Sequence, residues 1–237
     1  MKNITSSKID PSIKEGLVKL GMLNFDYCVV GGLLCQYYLK EHARYTKDID
    51  ILFDTDFNII EEELKRVFGD NIDFTYHEET DYFYEPTFTC FIYLDNLRVQ
   101  LEGKRINFFN KIKSEQYSYE GITFNGVCIE YVIAEKNITL LSELHRPYKH
   151  LVDIYSFSQI DQSLIDKNEV KRYMELINNQ ENIYRLKVGL NEYHLPTQIP
   201  DNKRFNPPMV LPTLQAQYNL SFKEIINSVN NWLKNIT

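Results

Sequence analysis

Hydrophobic residues recur along this chain at two spacings, which together predict a mixture of helices and strands. Apolar positions three or four apart are typical of an amphipathic helix, and short apolar or alternating runs are typical of strands. The pattern predicts helices over residues 11–23, 33–39, 59–68, 134–160, 165–178 and 221–235. It predicts strands over residues 26–30, 48–53, 87–94, 97–102, 105–109, 122–124 and 127–133.

The two kinds of element are unevenly distributed, which predicts two domains. Strands and helices mix in residues 1–130, which indicates an α/β (α+β) core with a mixed sheet flanked by helices. Residues 131–237 are mainly helical, and five prolines between 191 and 215 predict an extended connector there. Within the first part, Asp95-Asn96 separates two strand-like runs and predicts a hairpin.

Composition and charge narrow the possible functions. A chain of 237 residues that is 43% hydrophobic can bury a substantial core. The net charge of −7 argues against broad, sequence-independent coating of nucleic acid. The charge is uneven, with ten acidic residues between 54 and 81 and four basic residues between 104 and 113. Both clusters fit solvated surfaces, and the basic cluster also fits a surface that meets phosphate.

The cysteines and the long-range hydropathy exclude several further classes. The four cysteines have no C-x-x-C spacing and lie in or beside apolar runs, which predicts buried free thiols rather than a disulfide framework or zinc site. No N-terminal signal core is visible, and no apolar run approaches 18 residues. The expectation is a cytoplasmic protein that does not interact with membranes.

The strongest chemical signal is a pair of carboxylates on one predicted strand. Asp48 and Asp50 stand two residues apart in the run 48–53, so their side chains project from the same face. Their roots lie about 6.6 Å apart at a rise of about 3.3 Å per residue. Hard cations prefer carboxylate oxygen, and two adjacent like charges are unfavourable without one. The pair therefore predicts a metal site, although a strand-capping role alone would also fit the isolated pair.

A glycine pair extends this signal. Gly31 and Gly32 follow the apolar strand 26–30 and open the helix 33–39. Glycine lets the backbone approach phosphate closely, and a helix N-terminus favours negative charge. Together with the aspartate pair, these glycines predict a site for a metal-bound nucleoside triphosphate.

A third carboxylate would complete such a site. In the strand 97–102, Glu102 shares one face with Gln100, whereas the apolar residues face the other way. Glu102 is the candidate for a third metal ligand or a general base, a role worth roughly 10²–10⁴-fold in rate. Gln100 is the alternative structural match, but it would be a weak, neutral ligand.

The segment Val29–Phe53 resembles the nucleotidyltransferase superfamily typified by DNA polymerase beta. Its signature is a glycine pair, a short helix, and D-x-D on the next strand. The R-x-T-x-D-x-D form found here is most similar to the AbiEii-like branch, which includes abortive-infection and toxin–antitoxin nucleotidyltransferases. The resemblance implies Mg²⁺ or Mn²⁺ held by Asp48, Asp50 and Glu102, and a phosphate pocket formed by Gly31, Gly32, Thr46 and Arg44.

A second, weaker similarity lies in the helical half. AbiEii-like proteins carry a helical K-D-x-x-D motif, which Lys149 and Asp153 match while His150 replaces the first acid. The resemblance implies that Lys149 contacts the triphosphate or the leaving pyrophosphate. A surface salt-bridge cluster is the alternative interpretation. The usual third acid of the family also differs here, because Gln100 occupies its position.

These features predict transfer of a nucleoside monophosphate from a nucleoside triphosphate to an acceptor hydroxyl, with release of pyrophosphate. A toxin-like member would modify tRNA or a protein and could have an antitoxin partner. A resistance-type member would modify an aminoglycoside or lincosamide. The basic cluster favours RNA, and the acidic region suits a cationic drug. A catalytically inactive nucleotide sensor on the same fold, or an interaction protein whose D-x-D only caps a strand, remain the alternatives.

Overall fold

The computed structural model describes residues 9–40, 43–77, 86–94, 97–141, 147–180 and 221–236. The chain divides into two compact units, Met1–Cys128 and Ile129–Thr237. The helices of the first unit are α1 (Pro11–Leu20), α2 (Gly32–Leu39) and α3 (Phe57–Phe68). Its strands are β1 (Tyr27–Val30), β2 (Asp48–Phe53), β3 (Ile72–His77), β4 (Thr87–Leu94), β5 (Leu97–Arg105), β6 (Ser114–Tyr119) and β7 (Ile122–Val127).

The seven strands form one mixed sheet in the order β3-β4-β5-β2-β1-β7-β6. β2 pairs parallel with β5, and β1 pairs parallel with β7. The remaining neighbours are antiparallel, including the predicted hairpin of β4 and β5, in which Leu94 pairs with Leu97. The predicted fold class is therefore confirmed: a mixed α/β fold with helices beside a mixed sheet.

Helices cover one face of this sheet, which we call the helix face. A Cβ added at Gly16 in α1 would lie 2.9 Å from Ile49 Cδ1, so α1 packs directly on β2. The ring of Phe57, at the start of α3, lies 5.5 Å from that of Phe53. Ile60 and Leu64 of α3 are fully buried. The opposite face carries Asp48 and Asp50, and we call it the site face.

Four helices make up the described part of the second unit: α4 (Ile129–Leu141), α5 (Pro147–Gln159), α6 (Lys167–Gln180) and α7 (Phe222–Lys234). α4 packs against α5 and α6, and α5 packs against α7. α7 begins with a capping box in which Ser221 and Glu224 bond each other's backbone amides. The predicted connector at 191–215 lies outside the described residues.

Two predicted strands are wrong. Residues 105–109 are not a strand of their own, because β5 ends at Arg105 and Phe109–Lys111 is a 3-10 turn. Ile106 and Phe108 are buried and stand two residues apart, which is the spacing of a strand, but their side chains anchor a turn. Residues 127–133 are mostly helical, since α4 begins at Ile129. Their β-branched and aromatic side chains favour strands, but burial inside the helical unit outweighs that preference.

The single helix predicted at 134–160 is two helices. α4 ends at Leu141 and α5 begins at Pro147, a residue that suits the first helical turn but interrupts a helix interior. The sequence pattern also missed β3 and β6. Both are edge strands, and β6 (Ser114–Tyr119) has a single buried residue, Tyr117. A strand with so few buried positions carries little hydrophobic signal.

The prediction of buried free thiols is confirmed. All four cysteines are reduced and buried. Burial raises the pKa of Cys28 to about 11 and that of Cys90 to about 12, so both thiols are protonated at neutral pH. Among the described residues, none of the helices combines the length and the apolar character needed to cross a membrane.

Candidate active site

The two aspartates of the D-x-D sequence share the site face of β2. Along this strand Ile49 and Ile51 are 0% and 1% exposed, whereas the alternating residues Asp48 and Asp50 are partly exposed. Since side chains alternate between the faces of a strand, both carboxylates point away from the helices. The apolar residues of β2 fix this orientation, because a shift of one residue would bury both charges.

The neighbouring strand β5 brings a third carboxylate to the pair. In the parallel register Asp48 lies opposite Gln100, and Asp50 lies opposite Glu102. Paired strands are about 4.8 Å apart, so Glu102 is the lateral neighbour of Asp50 on the site face. Gln100 Nε2 donates a hydrogen bond of 2.6 Å to Glu102 Oε1. The position beside Asp48 is therefore neutral, and its amide orients the acid beside Asp50.

The glycine pair lies directly against Asp50. Gly31 has a φ of +76°, and a Cβ at this residue would lie 2.0 Å from Asp50 Oδ2. The Gly32 N–H donates to the same oxygen at 3.4 Å. The N-terminus of α2 carries partial positive charge, which favours a carboxylate in this place. The turn thus has room for Asp50 only because residue 31 has no side chain.

Arg44 and Thr46 line the same turn. Thr46 is 3% exposed, and its Oγ1 donates a hydrogen bond to Asp48 Oδ1. A Cβ at Gly32 would lie 2.6 Å from Thr46 Oγ1 and 3.4 Å from Arg44 Nη2. The R-x-T-x-D-x-D segment therefore places a guanidinium, a hydroxyl and two carboxylates around the start of α2.

The three predicted metal ligands share a face, but their side chains do not converge on one position. Within the described ranges, no three His, Cys, Asp or Glu side chains come together in a way that could hold a metal ion. Asp48 accepts from Thr46, Asp50 accepts from Gly32, and Glu102 accepts from Gln100. Each carboxylate is thus bonded to a different donor of the protein.

The second motif of the sequence lies in the helical unit. Lys149 belongs to α5, and its side chain lies outside the described part of the chain. Its contact with the triphosphate stays a prediction. Asp153 is 1% exposed and lies 3.7 Å from Lys136 Nζ of α4, which is also buried. The alternative of a surface cluster is therefore wrong for Asp153, which forms a buried ion pair between two helices.

The basic cluster at 104–113 is divided by the fold. Lys104 pairs in register with Leu52, so it lies on the site face two residues beyond Glu102. Arg105 Nη1 instead lies 2.8 Å from Asp56, and Lys113 Nζ lies 2.7 Å from Glu115. Two of the four cations are thus engaged in ion pairs, which weakens the interpretation of the cluster as one phosphate-binding surface.

The carboxylates are bordered by further residues, which the sequence analysis did not suggest. On β4, Phe91 pairs with Gln100 and Thr89 pairs with Glu102, so both lie on the site face. The Arg98 guanidinium lies 4.4 Å from the Phe91 ring centroid. The Asp95-Asn96 signal in the sequence could have found them, because a predicted two-residue connection fixes the register of the two strands.

Comparison with known proteins places this chain in a family. The family model described as nucleotidyl transferase AbiEii toxin, type IV toxin–antitoxin system, matches residues 26–234. The chain belongs to the AbiEii family. It is accordingly a nucleotidyltransferase of a toxin–antitoxin family, and the resemblance inferred from its sequence is confirmed. A comparison with curated protein sequences gives no significant match.

Comparison with solved structures adds one likeness to this AbiEii chain at the level of fold. MenT4, a nucleotidyltransferase toxin from Mycobacterium tuberculosis H37Rv, has a TM-score of 0.56 at 13% identity, covering 92% of this chain and 82% of MenT4. An antigenic nucleotidyltransferase-like protein from Paracoccidioides brasiliensis has a TM-score of 0.45 at 16% identity, covering 75% of this chain and 91% of that protein. The second score is too low to establish a shared fold.

Proposed function

We propose that this AbiEii member transfers a nucleoside monophosphate from a nucleoside triphosphate to an acceptor hydroxyl, in a reaction that depends on Mg²⁺ or Mn²⁺ and releases pyrophosphate. The observation that carries the proposal is the position of Asp48, Asp50 and Glu102 on one face, beside the Gly31–Gly32 turn. Membership of a toxin–antitoxin family further suggests an antitoxin partner.

The donor set suits a hard divalent cation. Three carboxylates at neighbouring register positions provide the oxygen ligands that Mg²⁺ and Mn²⁺ prefer. Asp48 and Asp50 would hold the metal, and Glu102 would either complete the ligand set or act as the base. When bound, the metal would neutralise charge on the triphosphate and on the leaving pyrophosphate. Releasing the carboxylates from Thr46, Gly32 and Gln100 would free their oxygens for this role.

The other residues would position the reactants. Arg44, beside Gly32, would meet the charge of the triphosphate, and the amides at the start of α2 would favour its phosphates. The acceptor oxygen would form a bond to the α-phosphorus while the bond to the bridging oxygen of the pyrophosphate breaks. The proton of the acceptor hydroxyl would pass to Glu102 if it acts as the base. The contact of Lys149 with the pyrophosphate stays a prediction from the family resemblance.

The location of the charged clusters bears on the acceptor. The acidic residues of α3 belong to the helix face, so they lie across the sheet from Asp50, whereas Asp73 of the same acidic region pairs with Phe91 on the site face. Four charged residues of α3 also form two ion pairs with each other, Lys65 with Glu61 and Arg66 with Glu63, each at 2.6 Å. The site face also presents Lys104 two residues beyond Glu102, and Phe91 with Arg98 on the Gln100 side of it. These groups favour tRNA or a protein over an aminoglycoside or lincosamide.

One observation favours a second candidate function. The position beside Asp48 is occupied by the neutral Gln100, where the family usually has an acid. A site with one carboxylate fewer could bind a nucleoside triphosphate without transferring it. The chain would then be a nucleotide sensor on the same fold.

One experiment tests both candidates. The purified chain is incubated with each α-³²P-labelled nucleoside triphosphate, with Mg²⁺, and with RNA, protein and small hydroxyl-rich acceptors in separate reactions. We expect label on one acceptor class, pyrophosphate release in equal amount, and loss of both signals with EDTA that Mg²⁺ or Mn²⁺ restores. Binding of a triphosphate without pyrophosphate release would favour the sensor. Transfer that persists in EDTA would contradict metal dependence.

Replacing Glu102 with glutamine is expected to lower turnover far more than replacing Gln100 with alanine. Glu102→Gln keeps the shape of the side chain but removes a ligand or base, a loss of about 10²-fold or more. Gln100→Ala removes only the 2.6 Å bond that orients Glu102, so we expect a loss of about threefold to tenfold. Initial rates of pyrophosphate release measure both.

The matched control is Glu115→Gln on the edge strand β6, whose partner is Lys113 rather than a site residue. It should retain the wild-type rate. If Gln100→Ala were the more damaging substitution, the third position of the site would be Gln100 and not Glu102.

A further inference from the structure

The segment from Arg44 to Asp48 presents its side chains in two directions. Arg44 and Thr46 lie against Gly32, as the 3.4 Å and 2.6 Å distances to a Cβ there indicate. Tyr45, between them, is 50% exposed and points outward. The segment lies outside the sheet, so β-ladder hydrogen bonds begin only at Asp48. Among the described residues, side-chain contacts therefore help to fix its position.

The outward residue makes a long-range contact. Tyr45 Oη donates a hydrogen bond to Asp10 Oδ2. The other oxygen of Asp10 accepts from the Ser12 N–H at 2.8 Å and from Ser12 Oγ at 2.6 Å, which caps α1. One carboxylate thus begins a helix and binds the site segment. The hydrogen bonds from Ser12 and Tyr45 hold the pKa of Asp10 below its ordinary value, so it is ionised at neutral pH.

The helix at the other end of this contact is firmly packed. Ile13, Leu17 and Leu20 of α1 are each 1% exposed. Gly16 lies against Ile49, the residue between the two aspartates of β2. A bond to the first turn of α1 therefore ties the segment to the same core that orients Asp48 and Asp50.

We propose that Tyr45 is a positioning residue, whose bond to Asp10 holds Arg44 and Thr46 against the Gly31–Gly32 turn and so raises the affinity for the triphosphate. This inference rests on the proposed function, because it takes that turn to be the phosphate site. Tyr45 itself would not touch the nucleotide. Its effect is to reduce the number of conformations that the segment must lose when the triphosphate binds.

The experiment compares two single variants and their combination. Tyr45→Phe removes the donor. Asp10→Ser keeps an oxygen that caps α1 but is too short to reach Tyr45. Tyr93→Phe is the matched control, since Tyr93 is similarly exposed at 47% and lies on β4. The readouts are amide hydrogen exchange over residues 43–48 and equilibrium binding of the four α,β-methylene nucleoside triphosphates with Mg²⁺.

We expect Tyr45→Phe and Asp10→Ser each to weaken binding of the preferred analogue by about fivefold, the size of the net contribution of one ordinary hydrogen bond. Exchange at 43–48 should accelerate by a similar factor, with saturated turnover close to that of the wild type. The double variant should match either single variant, because both remove the same interaction. Tyr93→Phe should change neither quantity.

Other outcomes overturn the inference in distinguishable ways. If Tyr45→Phe behaves like Tyr93→Phe, the bond has no positioning role. If Asp10→Ser alone has an effect, Asp10 acts only as the cap of α1. A wild-type chain that binds none of the four analogues would overturn the proposed function, and the exchange rates would still report whether the bond holds the segment.

Discussion

Replacing Asp50 with alanine is expected to abolish nucleotidyl transfer while leaving the fold intact. Asp50 lies between the glycine turn and Glu102, so its carboxylate borders both the predicted phosphate turn and the third acid of the site. Metal coordination supplies several kcal/mol of transition-state stabilisation, and each 1.36 kcal/mol is tenfold in rate. We therefore expect a loss of about 10³-fold in the initial rate of pyrophosphate release, measured with Mg²⁺ at saturation.

The fold should survive because Asp50 is not a core side chain. It is partly exposed, and a second carboxylate lies beside it, so removing its charge relieves repulsion when no cation is bound. Circular dichroism and the urea midpoint should match the wild type. Asp54→Ala is the control, since Asp54 follows the same strand, is 55% exposed, and lies 3.9 Å from Arg105, which is not a residue of the candidate site. A rate within threefold of the wild type for Asp50→Ala would remove Asp50 from the mechanism.

The part of the site that sequence could predict is the part set by local periodicity. Alternation along β2 places Asp48 and Asp50 on one face whatever the rest of the fold, because a strand has a period of two residues. The hairpin signal at Asp95-Asn96 fixes β4 relative to β5 in the same way. Glu102 could be proposed from its own strand, but its register beside Asp50 depends on the parallel pairing of β2 and β5, which no local pattern encodes.

The features that sequence missed depend on long-range contacts or on weak hydrophobic patterns. The bond between Tyr45 and Asp10 joins residues 35 apart, and nothing in either local sequence indicates the other. The edge strands β3 and β6 bury few side chains, so their pattern is faint. Residues 127–133 gave a strong but misleading signal, because the side chains that favour a strand also fill the interior of a helical unit.

Replacing Gly31 with alanine is expected to damage both stability and turnover. Residue 31 has a φ of +76°, which costs an L-residue roughly 1–2 kcal/mol. Its Cβ would also lie 2.0 Å from Asp50 Oδ2, and overpacking costs roughly 1–3 kcal/mol. We expect the free energy of unfolding to fall by about 3 kcal/mol in urea titrations. Turnover should fall by about 10²-fold, because a misplacement of a catalytic group by about 1 Å has an effect of this size.

Alanine substitutions at two other glycines distinguish the cost of a positive φ from the cost of the contact with Asp50. Gly69 and Gly121 have φ values of +77° and +81°, and a Cβ at either would meet no atom within 4 Å. Gly69→Ala and Gly121→Ala should therefore lower the free energy of unfolding only by the backbone contribution of about 1–2 kcal/mol. Both variants should keep full turnover. In the Asp50→Ala background the Oδ2 at 2.0 Å and the Cγ at 2.8 Å are gone and only the Cβ of residue 50 remains, at 3.0 Å, so adding Gly31→Ala should there cost much less than in the wild type and only a little more than Gly69→Ala. If Gly31→Ala in the otherwise wild-type chain were no more destabilising than Gly69→Ala and kept its turnover, the close approach between the glycine turn and Asp50 would be refuted.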